Sequence, residues 1–64
     1  MRPLIEILED ERTLKQKTDS VLRYLVKTDD FETITILKGQ LERIEKDLEK
    51  VRNEMKEYIE ELLK

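Results

Sequence analysis

Residues 34–63 read ITILKGQLERIEKDLEKVRNEMKEYIEELL, and apolar side chains return at Ile34, Leu37, Leu41, Ile44, Leu48, Val51, Met55, Tyr58 and Leu62. The intervals alternate between three and four residues without a slip. Sustained over about four heptads, that alternation means an α-helix with one apolar seam, the pattern of a coiled coil.

Working back towards the N-terminus, the same spacing recurs less cleanly at Leu4, Ile7, Glu11, Leu14, Thr18, Val21 and Leu25. Two of those positions are polar, and Leu14 is the only apolar side chain between Glu9 and Ser20. The first helix is therefore amphipathic at its ends and thin in the middle. Pro3 suits a first turn, where its missing N–H costs nothing. A separate middle helix starting at Thr13, with Gln16 at capping-box spacing, is the alternative division. No Gly or Pro nearby supports it.

Between the two periodic stretches lies Lys27-Thr28-Asp29-Asp30-Phe31-Glu32. Asp29 with Glu32 has the spacing of a capping box, and both acids suit the positive end of a helix dipole. The expected division is helix 1 over about 3–27, a turn at 28–30 and helix 2 over about 30–63, in a single domain of 1–64. So short a connection folds the helices back antiparallel. The fold class is all-α: an antiparallel, coiled-coil-like two-helix hairpin. With Leu25 opposite Ile34, Thr18 falls opposite Leu41, Glu11 opposite Leu48 and Leu4 opposite Met55, and Met1 comes near Tyr58. Gly39 then lies level with Ser20, and a small-against-small contact would account for a glycine that costs a helix ~1 kcal/mol.

A chain of 64 residues buries a small core and needs an aid to stability. With no cysteine, disulfides and thiolate metal sites are excluded, and a reducing cytoplasm is the expected location. Self-association is the aid that remains, with idealised packing within one monomer as the alternative. The seam expected to drive it comprises Leu14, Val21, Leu25, Ile34, Leu37, Leu41, Ile44, Leu48, Val51, Met55, Tyr58 and Leu62. Off the seam, apolar residues gather in two patches, Leu22, Tyr24, Val26, Phe31 and Ile36 near the turn, and Ile5, Leu8, Ile59 and Leu63 near the termini. Contiguous apolar patches on so small a protein mark contacts. They point to a homodimeric four-helix bundle, with the turn of one hairpin against the termini of the other, or to a protein partner.

Composition narrows the function. Charged residues make up 45% of the chain and Gly and Pro occur once each, as in long helices. Histidine is absent, so the commonest acid/base group near neutral pH is missing, and Ser20, the only serine, has no imidazole to activate it. The acidic runs Glu9-Asp10-Glu11, Asp29-Asp30 and Glu60-Glu61 read as solvated faces. Several acids have a base at helical spacing: Glu11 with Lys15, Glu42 with Lys46, Lys50 with Glu54 and Glu60 with Lys64. No enzyme, metal or cofactor is expected. Membrane spanning is excluded by the lack of a long apolar run, and an acidic residue at Glu6 breaks any signal-peptide pattern. A net charge of −3 disfavours nucleic acid. The alternative reading, a dimeric RNA- or DNA-binding regulator, would rest on Arg12, Lys15, Arg23 and Lys27, with Phe31 available to stack on a base. The leading expectation is a small helical self-association and protein-interaction module, acting as adaptor, assembly factor or inhibitor of another protein.

Overall fold

The computed structural model describes residues 2–64, so the place expected for Met1 lies outside them. Two helices pack against each other, α1 over Leu4–Lys27 and α2 over Phe31–Leu62. They form a rod of 51 × 15 × 14 Å. No strand occurs among the described residues. Helix α1 is continuous through Thr13, so there is no separate middle helix. At 32 residues against 24, α2 is the longer helix. It overhangs α1 by about 12 Å at ~1.5 Å per residue. Leu62 belongs to this overhang and is 71% exposed, so it packs in no seam within the hairpin.

The turn needs no glycine. Thr28 (φ −101°, ψ 139°) and Asp30 (φ −80°, ψ 119°) are extended, and no described residue has a positive φ. The Thr28 N–H donates to the Tyr24 carbonyl and closes α1, while the Ile34 N–H donates to the Asp30 carbonyl and opens α2. The capping box expected at Asp29 and Glu32 does not form: the N-cap position falls one residue later, and its side chain bonds no helical N–H. Asp30 is the N-cap, and its carboxylate accepts a hydrogen bond from the Thr33 hydroxyl at 2.8 Å. The Asp30 N–H in turn donates to the Thr28 hydroxyl at 3.4 Å. Both threonines thus bond to Asp30, one at its backbone N–H and one at its carboxylate.

Each seam has two lines of side chains. One line holds Ile7, Leu14 and Val21 on α1 and Leu37, Ile44, Val51 and Tyr58 on α2. The other holds Leu4, Glu11, Thr18 and Leu25 on α1 and Ile34, Leu41, Leu48 and Met55 on α2. The four side chains buried among the described residues, Ile7, Val21, Ile44 and Val51, all belong to the first line. Every residue of the second line is half-buried. The hairpin therefore buries the first line at four places, with Leu14, Leu37 and Tyr58 half-buried between them, and leaves the second half-buried along its whole length. Thr18 turns its hydroxyl back to the Leu14 carbonyl at 3.0 Å, so it brings no unpaired polar group to the seam.

At the open end of the rod Arg2 fastens the helices together. Its Nε and Nη2 donate to the two carboxylate oxygens of Glu54 at 2.7 and 2.8 Å, and Nη1 donates to Asp10. This fork geometry is the strong, directional form of an arginine–carboxylate pair. Glu54, and after it Asp10, hold the guanidinium pKa above its ordinary value by hydrogen bonding. Arg2 lies beside Glu54 here, a turn short of the level that the expected pairing of Leu4 with Met55 would give it.

Candidate self-association face

Helical spacing sorts the remaining side chains onto the two flanks of the rod. One flank carries the half-open line and the positions just outside it. There Thr18, Leu41 and Leu48 floor a cavity of about 530 Å³, with Glu45 and Arg52 at its side. Among the described residues ten large apolar side chains are exposed. Seven of these fall on this flank by spacing: Ile5, Leu8, Leu22 and Val26 from α1, and Phe31, Ile59 and Leu63 from α2. Val26 at 87%, Phe31 at 79% and Leu63 at 82% are almost bare. The apolar groups lie at the two ends of the flank. Its middle is charged, with Arg12, Lys15 and Asp19 on α1 and Lys38, Glu42, Glu45, Glu49 and Arg52 on α2.

The other flank is different in kind. Near the turn the short side chains of Thr13 and Ser20 open a groove of about 760 Å³ between the helices, floored by Val21, Leu37 and Ile44. Tyr24 stands at this groove and is 68% exposed. Ile36, 63% exposed, lies on the same side of α2, three residues from Thr33 and four from Gln40, both of which line the groove. The patch expected near the turn is thus divided: Leu22, Val26 and Phe31 belong to one flank, Tyr24 and Ile36 to the other.

Gly39 does not meet Ser20. A Cβ built on Gly39 finds nothing within 4 Å. Gly39 lies two residues from Leu37 and from Leu41, which turns it to the back of α2, so the small-against-small contact is absent. Of the helical ion pairs expected, Glu11 with Lys15 forms, at 3.2 Å. Lys64 instead pairs with Glu61 at 3.3 Å, and Glu54 is taken by Arg2.

The basic residues do not form one surface. Arg23 and Lys27 share a shallow hollow with Tyr24 near the turn. Arg12 and Lys15 sit about 16 Å further along α1, at ~1.5 Å per residue, and Lys15 is engaged by Glu11. The described residues hold no grouping of three or more acidic side chains fit for a metal ion, and no helix is long and apolar enough to cross a membrane. Comparison with protein-family models, with curated proteins and with solved structures found no match to this chain.

Proposed function

We propose that this chain is a non-enzymatic helical self-association and protein-interaction module, in which two hairpins stack through the half-open flank into a four-helix bundle. The observation that carries this reading is the gathering of seven exposed apolar side chains beside a seam line that the hairpin leaves half-covered. A second layer of helices would cover both at once, as in four-helix bundles generally. The rod's 51 × 15 Å flank projects about 750 Å², close to the ~800 Å² each partner buries in a standard interface. Stacking of this kind leaves the opposite groove open. An adaptor, assembly or inhibitory role would use that groove, with Tyr24 and Ile36 as the anchors for a partner protein. The absence of cysteine suits work in a reducing cytoplasm.

The double substitution Val26→Glu and Phe31→Glu tests the reading. Both side chains are exposed in the hairpin, so the helices are expected to remain while the assembly dissociates to monomer in sedimentation velocity. A variant that keeps the mass of the unmodified protein's assembly would refute the use of this flank.

A further inference from the structure

We infer that the groove beside Tyr24 takes one amphipathic helix of a partner protein, with acidic side chains on either side of its apolar stripe. This rests on the reading of that groove as the partner surface, and it names the chemistry of the partner.

The groove follows α1 from Thr13 to Tyr24. That is about 16 Å, or about three turns of helix, at ~1.5 Å per residue. Its two walls are α-helices, whose backbone groups bond within each helix. An incoming strand would find no edge to pair with. A helix satisfies its own backbone and needs from its host only an apolar furrow, into which it lays side chains spaced by three and four residues. Val21, Leu37 and Ile44 supply that furrow.

The charge of the groove sets what must flank the stripe. Two charged side chains line it, Lys17 on α1 and Arg43 on α2, and both are basic. One stands on each wall. At the turn end Arg23 and Lys27 share the adjoining hollow with Tyr24. The ion pairs among the described residues engage Arg2, Lys15 and Lys64, and none of these four cations. Asp47 shares one neighbouring hollow with Lys17 and another with Arg43, and pairs with neither. A chain of net charge −3 thus turns only cations into this groove. A helix with Glu or Asp beside its stripe would meet a cation on either wall, and a basic helix would meet repulsion on both. Complementarity of this kind selects a partner more than it adds raw affinity.

Nucleic acid shares the preference for cations but suits the groove less. A strand carries a phosphate about every 3.4 Å, so about five would pass over two lining cations and a floor of three aliphatic side chains.

Two fluorescein-labelled synthetic peptides test the inference, read by fluorescence anisotropy with the full-length protein. Both carry leucines at i, i+3, i+4 and i+7; one has Glu at the flanking positions and the other Lys. The Glu peptide is expected to bind about tenfold more tightly, because two attractions replace two repulsions at an exposed surface. Lys17→Glu together with Arg43→Glu, both at exposed positions, should invert the preference. Equal binding of the two peptides, or a preference that survives the substitutions, would overturn the acidic partner and leave the groove a docking site. Failure of both peptides to bind, or tighter binding of a labelled single-stranded RNA than of the Glu peptide, would overturn the partner and the groove's role together. Sedimentation of the same samples reads self-association separately, so a monomer that still discriminates the peptides would refute the stacking alone.

Discussion

Replacing Gly39 by Ala is expected to stabilise the protein, and the size follows from the structure. Gly39 sits inside α2 with an ordinary negative φ, so an L-residue fits its backbone without strain. A Cβ there touches nothing within 4 Å, so there is neither a clash to absorb nor a cavity to fill. The remaining difference is the backbone freedom that glycine loses in a helix, ~0.8–1.0 kcal/mol relative to Ala. In a domain of this size each kcal/mol moves the melting temperature by ~4–8 °C, and in a dimer both copies carry the change. Melting followed by far-ultraviolet circular dichroism, at matched protein concentration because association makes the midpoint concentration-dependent, reads the effect. An unchanged or lowered midpoint would refute the reasoning. It would mean that another surface closes on the back of α2 at Gly39, and that the assembly does not use the flank assigned to it.

Two further substitutions probe the seam. Thr18→Leu places apolar volume over the opening between Leu41 and Leu48 and should raise stability by about 1 kcal/mol, seen as a higher denaturation midpoint; a loss would mean that the Thr18 hydroxyl bond to Leu14 does more than satisfy itself. Ile7→Ala removes a side chain with no exposure at all and should cost ~2–5 kcal/mol by urea unfolding, whereas a cost under ~1 kcal/mol would show that the Arg2 end of the hairpin is loosely packed.

Much of the fold was legible because a helix with a wet back and a dry seam repeats every three or four residues. The unbroken run from Ile34 to Tyr58 left little choice, and even the polar Glu11 and Thr18 keep their places in the half-buried line. What escaped the pattern depends on geometry that spacing does not encode. The N-cap falls on Asp30, which both neighbouring threonine hydroxyls bond, and not on Asp29. The fork from Arg2 to Glu54 joins residues 52 apart, and no local rule connects them. Gly39 was set against Ser20 because their levels along the rod agree, but contact also needs the right angle about the helix axis, and Gly39 lies on the back of α2 while Ser20 lines the groove between the helices. The end patches show the same limit. One linear cluster near the turn holds residues of both flanks, and which flank of α1 joins which flank of α2 depends on the helices being antiparallel.

Sedimentation equilibrium of the unmodified chain across a wide concentration range tests self-association most directly. A mass of twice the 7.8 kDa chain, with full helicity retained, is the result predicted by a flank built to be covered by a second copy. A fully helical, cooperatively melting species at 7.8 kDa over the whole range would contradict it, and would mean that the hairpin stands with that flank bare.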